Sequence, residues 1–209
     1  MLIPSTATAD DEDADDDEHD LRLTVPFPHP ASRTPQPAVS SIHALHPFPY
    51  NGVATATMLT ITTHSPDETL ALGERIGRAA RPGDVIALTG NLGAGKTVLA
   101  KGIMKGLGGN PDDVTSPTFV LMMRHDARLP LFHFDAYRLA RCQEMLDIGA
   151  EEAYYGSGVT VVEWADRVAE SLPGDRLEVE IELAGAALRS IRIRSTGKAS
   201  ESLLERATA

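Results

Sequence analysis

The sequence predicts an α/β domain, and three features carry that prediction. The first is a strand, a glycine loop and a helix in direct succession. Asp84 to Thr89 is a short apolar run, Gly90 to Thr97 is glycine-rich, and Val98 to Leu107 carries apolar residues at helical spacing at 99, 103, 104 and 107. The second is a pair of apolar runs that each end in an acid, Leu131 to Asp135 and Val159 to Glu163. The third lies nearer the C-terminus. There Leu177 to Leu183 alternates apolar with acidic residues and Leu188 to Arg194 alternates apolar with basic ones, as an antiparallel hairpin does.

Gly90-Asn91-Leu92-Gly93-Ala94-Gly95-Lys96-Thr97 fits the phosphate-loop pattern G-x-x-x-x-G-K-[ST] at every fixed position. Glycines let the backbone turn tightly enough for successive N–H groups to face phosphate oxygens. The following helix presents its positive end to the same place. Leu92, Gly93, Ala94, Gly95, Lys96 and Thr97 are therefore the nucleotide-binding candidates. Lys96 is expected to reach the β/γ-phosphates, and the Thr97 hydroxyl to hold Mg²⁺.

Composition narrows the function classes. The first 57 residues carry nine Asp/Glu and two Lys/Arg, so most of the net charge of −11 lies there and the remainder is only mildly acidic. No basic stripe offers to hold nucleic acid unaided. One cysteine, Cys142, rules out an internal disulfide framework and a multi-cysteine zinc site. No apolar run has the length of a membrane span, and the acidic N-terminus is unlike a secretory signal. The expectation is a cytoplasmic protein with no membrane partner.

In chain order, residues 1–57 read as a disordered acidic and Pro-rich extension, with seven prolines between Pro26 and Pro49. A docking tail, or translation from Met58, are the alternatives. Residues 58–195 read as the folded domain. Met58 to Thr62 is a strand. Ser65-Pro66-Asp67-Glu68 has the form of a helix cap and opens a helix to about residue 80. Gly108-Gly109-Asn110-Pro111 stops the phosphate-loop helix, and a loop runs to Thr118. Phe119 to Arg124 and Pro130 to Asp135 suggest a second hairpin, residues 143–155 a helix, and Ala165 to Leu172 another. Glu178, Glu180 and Glu182 are expected to face Arg189, Arg192 and Arg194 on a solvated surface. Residues 196–209 are expected to be a frayed tail.

A nucleotide hydrolase also needs a carboxylate near Mg²⁺ and a group that orients water. Acids at the C-terminal ends of strands beside the phosphate-loop strand stand at the mouth of an open α/β sheet. Asp135 and Glu163 qualify. Thr118 lies in the loop where γ-phosphate-sensing switches occur. Arg138 and Arg167 could neutralise phosphate charge or pair with neighbouring acids. Trp164, the single tryptophan, follows Glu163. His133 reads as structural.

Taken together, G-N-L-G-A-G-K-T, S-P-T-F (116–119), H-F-D-A-Y-R-L (133–139) and E-W-A-D-R (163–167) resemble the TsaE family, the small bacterial ATPases of tRNA threonylcarbamoyladenosine biosynthesis. The resemblance spans roughly residues 58–195. It implies a P-loop NTPase-like single domain with a mixed, mostly parallel sheet, binding ATP and Mg²⁺. Glu163 would join Thr97 in holding the metal, Asp135 would position the water, and Thr118 would belong to a switch loop. Thr69 would lie close to the adenine. The partners implied are the TsaD–TsaB heterodimer, with tRNA met only through that complex during modification of adenosine 37 in tRNAs reading ANN codons. A small-molecule kinase on the same phosphate loop is the alternative, disfavoured because residues 140–158 carry only Arg141 and no arginine-rich lid.

Overall fold

In the computed structural model, residues 57–209 are described, so the expected extension over residues 1–57 lies outside the described residues except for Thr57. Seven strands form one sheet: β1 (Met58–Thr63), β2 (Val85–Thr89), β3 (Met122–His125), β4 (Leu131–Asp135), β5 (Val159–Glu163), β6 (Leu177–Leu183) and β7 (Arg189–Ser195). Their order is β1-β7-β6-β2-β5-β4-β3. β2 lies between β5 and β6 and is parallel to both, and β4 is parallel to β5. β3 closes one side antiparallel to β4, while β7 runs antiparallel to β6 and β1 on the other. The sheet is thus mixed, with a parallel centre, as expected.

Helices α1 (Pro66–Ala79), α2 (Lys96–Gly106) and α5 (Lys198–Thr208) cover one face of the sheet. There Ile86, Leu88, Val161, Ile181 and Ile193 of the strands pack with Ile76, Leu99, Ile103 and Leu203 of the helices. Over β2, β4 and β5 the other face is covered by α3 (Cys142–Asp147), α4 (Ala150–Tyr154) and a 3₁₀ segment, Ala165–Ser171, with Phe134, Val162, Met145 and Val168 at its core. β5 is buried at all five positions, which explains its β-branched run from Val159 to Val162, and the fifth position is the buried acid Glu163.

α1 begins as its sequence predicts: the Ser65 hydroxyl accepts from Glu68 N at 3.1 Å, and Pro66 takes the first helical position. The Glu68 carboxylate reaches back one residue further than a capping box would, accepting from His64 N at 2.8 Å. α1 and α2 then cross backbone against backbone. Gly73 and Gly77 of α1 face Gly102 and Gly106 of α2, and a Cβ on any of the four would collide with a carbonyl oxygen of the opposite helix.

Several expectations are corrected. Residues 196–209 are not a frayed tail: Lys198–Thr208 form α5, which buries Leu203, Leu204 and Ala207. Arg206 of α5 donates to Ala79 O at 2.9 Å, fixing the helix beside the end of α1. The strand expected from Phe119 starts at Met122, because Val120 N and Leu121 N both turn back to Pro117 O. The helix expected over 143–155 is two short helices divided at Gly149, which has a left-handed φ of 84°. The segment after Trp164 is 3₁₀ rather than α-helical and is kinked at Val168. Arg189 does not face a glutamate. The register sets Arg192 opposite Glu180 and Arg194 opposite Glu178, but Arg189 opposite Leu183 and Thr63.

Candidate functional site

The Gly90–Thr97 loop leaves β2 and turns into α2. Gly90, Gly93 and Gly95 adopt φ of 134°, 76° and 112°, a region that side-chain-bearing residues avoid. Gly90 is also required by space, since a Cβ there would strike the carbonyl oxygen of Ile181 in β6. Leu92 stands at the exposed tip, Ala94 is fully buried beneath the loop, and Gly93 has open space before it. Lys96, only 5% exposed, folds back over the loop. Its ammonium donates to Gly90 O at 2.7 Å and Asn91 O at 3.0 Å, leaving one of its three N–H groups for a ligand. Nζ also lies 3.6 Å from the centroid of the Trp164 ring, whose other neighbour is Tyr137 at 4.9 Å between centroids. Burial pulls the Lys96 pKa below the ordinary lysine value, against the opposing pull of Glu163, Asp135 and Asp166.

β4 and β5 run side by side, with Asp135 opposite Glu163 in register. Both carboxylates are buried at the C-terminal ends of their strands. Thr97, in the first turn of α2, donates its hydroxyl to Glu163 Oε1 at 2.8 Å and lies 3.0 Å from Oε2. Glu163 Oε1 is held from the other side by His133 Nε2 at 2.9 Å. Asp135 receives Thr118 Oγ1 on Oδ2 at 2.8 Å, Ser116 Oγ on the same oxygen, and Tyr137 N on Oδ1 at 2.9 Å. The loop from Ser116 to Leu121 is thereby tied to Asp135, and Leu121 O also accepts from Asp135 N at 3.1 Å. Leu121 and Trp164 are the non-glycine residues with positive φ among the described residues, and both flank this cleft.

Lys96, Thr97, Thr118, Asp135 and Glu163 are thus linked through hydrogen bonds, strand register and the phosphate loop around one mouth of the sheet. Thr69 is placed differently. It is fully buried, and its hydroxyl is engaged by Thr63 Oγ1 at 2.8 Å and Ser65 O at 3.2 Å, so that its methyl is the part beside Gly95. Arg138 lies over the Phe119 ring at 4.1 Å and Arg167 donates to Leu139 O at 3.5 Å. Three residues escaped the sequence reading. Ser116 sits on Asp135, and His133 on Glu163. Arg189 donates from Nε to Ala94 O, at 3.1 Å, within the phosphate loop itself. Strict alternation would have found Arg189, because it shares parity with the buried Ile191 and Ile193 rather than with Arg192 and Arg194.

This constellation sits in a chain whose residues 63–191 match the family model described as threonylcarbamoyl adenosine biosynthesis protein TsaE. The chain belongs to the TsaE family. A TsaE of Bacillus subtilis is 42% identical over 144 residues, covering 68% of this chain and 89% of that protein. One of Treponema pallidum is 40% identical over 131 residues, covering 63% of this chain and 96% of the relative. Both are named tRNA threonylcarbamoyladenosine biosynthesis protein TsaE. The crystal structure of YdiB from Bacillus subtilis superposes with a TM-score of 0.63 at 36% identity, covering 74% of this chain and 97% of the other. The α/β fold is therefore that of a solved relative. Among the described residues no helix is long and apolar enough to cross a membrane.

Proposed function

We propose that this chain is the ATP-binding and ATP-hydrolysing subunit of tRNA threonylcarbamoyladenosine biosynthesis. It would act in the cytoplasm with the TsaD–TsaB heterodimer and meet tRNA only through that complex. The observation that carries the reading is the meeting of Thr97 and Glu163 at 2.8 Å beside Asp135, directly behind a phosphate loop. Family membership supports the pathway, and the mildly acidic charge balance of residues 58–209 supports leaving the RNA to partners.

The residues fit a nucleotide with Mg²⁺. The loop has glycines where a close approach of backbone to phosphate is needed, and Gly93 opens onto free space. Thr97 and Glu163 supply two oxygen ligands side by side, the small protein share that Mg²⁺ takes when phosphates and waters fill its other positions. Bound there, Mg²⁺ would neutralise charge on the β- and γ-phosphate oxygens. Lys96 binds the same phosphates with its remaining N–H, and two loop carbonyls and the Trp164 face hold it in place over the loop. Asp135 is oriented by three donors and serves to position the attacking water, while Thr118 and Ser116 couple it to the 116–121 loop. His133 fixes the Glu163 carboxylate.

The test is reconstitution with TsaD and TsaB of the same organism, reading modified adenosine in tRNA over many turnovers. Asp135→Asn is expected to bind ATP and the heterodimer yet fail to sustain modification. Full support of modification by that variant would mean that hydrolysis is dispensable and nucleotide binding alone matters.

A further inference from the structure

The C-terminal hairpin touches the phosphate loop at both of its strands. On β6, the Ile181 carbonyl is packed against Gly90. On β7, Arg189 Nε donates to Ala94 O at 3.1 Å, and a Cβ placed on Gly95 would stand 3.4 Å from the same nitrogen. Nη1 of Arg189 is anchored on Ala187 O at 2.7 Å, so the guanidinium is held at two of its nitrogens. Arg192 and Arg194 of the same strand pair with Glu180, Glu182 and Glu178. Among the described residues Arg189 has no such ion pair, and its charge is directed to two backbone carbonyls.

The consequence follows from the rigid peptide unit. In a planar trans peptide the C=O and the next N–H point in opposite directions. Drawing Ala94 O toward Arg189 therefore turns Gly95 N–H away from the hairpin. A carbonyl facing a polyphosphate would repel it, whereas an amide hydrogen attracts it. Gly95, at φ 112°, is free to flip its peptide in a way other residues are not, so something outside the loop has to choose the orientation.

We propose that Arg189 is a positioning residue for polyphosphate binding: it sets the Ala94–Gly95 peptide and so presets the loop for the phosphates of a nucleotide. The inference rests on the nucleotide-binding reading above. It is tested by calorimetric titration of the full chain with Mg·ADP, and separately with inorganic pyrophosphate, for wild type, Arg189→Ala, Arg189→Lys and Arg192→Ala. Arg189→Ala is expected to lose ten- to a hundredfold in affinity for both ligands, in similar proportion, with a melting temperature close to that of Arg192→Ala. Arg189→Lys is expected to recover part of the loss, because its ammonium can also donate to a carbonyl. Arg192→Ala is expected to bind both ligands as wild type does. Unchanged affinity in Arg189→Ala overturns the proposal, and so does a loss for ADP alone, which would mean contact with adenosine rather than loop setting. If Arg189→Ala does not fold, Arg189→Met, which keeps the stem and removes the donor to Ala94 O, decides, and wild-type affinity in it overturns the proposal. Failure of the wild type to bind ADP would instead remove the nucleotide-binding reading itself.

Discussion

Gly102→Ala sets helix propensity against packing. Glycine in a helix interior costs about 1 kcal/mol relative to alanine, so propensity alone predicts a more stable protein. The structure predicts the reverse. A Cβ at Gly102 would overlap the Leu70 carbonyl oxygen and stand 2.9 Å from Gly73 Cα, where ordinary contact begins near 3.4 Å. The helices would have to part by at least the difference, about 0.5 Å, and by more at the carbonyl. Overpacking against rigid backbone belongs at the upper end of the usual ~1–3 kcal/mol, leaving a net loss of about 2 kcal/mol after the propensity gain. In a domain of this size that lowers the melting temperature by roughly 4–8 °C. Because Lys96 and Thr97 open α2, the same displacement is expected to weaken ADP binding. Urea unfolding followed by circular dichroism measures the first effect and calorimetry the second. Gly174→Ala is the control, since nothing lies within 4 Å of a Cβ there, and it is expected to be neutral or slightly stabilising. A Gly102→Ala protein as stable as wild type would refute close backbone packing of α1 and α2.

Leu203→Ala, at a position 1% exposed in α5, is expected to cost about 2–5 kcal/mol, whereas a frayed tail would lose almost nothing; chemical denaturation separates the two. Asp84, buried immediately before β2, has its carboxyl pKa raised by burial, so its ionisation opposes folding. The stability it allows is fully present below about pH 3.8 and is lost as pH rises through the raised value. Asp84→Asn is thus expected to melt with wild type at pH 3 and above it at pH 7. A less stable variant at pH 7 would show that the hydrogen bond from Arg81 N at 2.8 Å and the Arg206 contact at 3.5 Å together outweigh desolvation. ADP binding should weaken with rising pH before an ordinary lysine titrates near 10.5, because burial lowers the Lys96 pKa and the ammonium is the binding form. Titrations at stepped pH check this, and an unchanged affinity up to that value would contradict it.

What could be read from the sequence was what is local. The phosphate loop, the two acid-ended strands and the cap of α1 each announce themselves within eight residues, and they carried the fold class and most of the candidate site. What escaped depends on distant partners. Gly73, Gly77, Gly102 and Gly106 look like weak points in two helices until the helices are brought together. Leu203, Leu204 and Ala207 form a short apolar stripe whose value depends on the groove beside α1 that receives it. His133 reads as a core residue, and it is one, but Glu163 is its neighbour only because β4 and β5 pair. Phe119 and Val120 have the composition of a strand and lie exposed in a turn, because the Pro117 carbonyl draws the following amides back.

The pairing of Met58 with Arg194 joins the first described strand to the last, across nearly the whole domain. Such a sheet has no early stopping point during synthesis: β1 lies at the sheet edge with β7 as its partner, and must wait unpaired until β7 has left the ribosome. The same late strand delivers Arg189 to Ala94. A nascent chain ending before residue 189 would therefore carry its whole glycine motif and still lack the brace that orients it, so full affinity for a nucleotide would arrive only with residues 189–209.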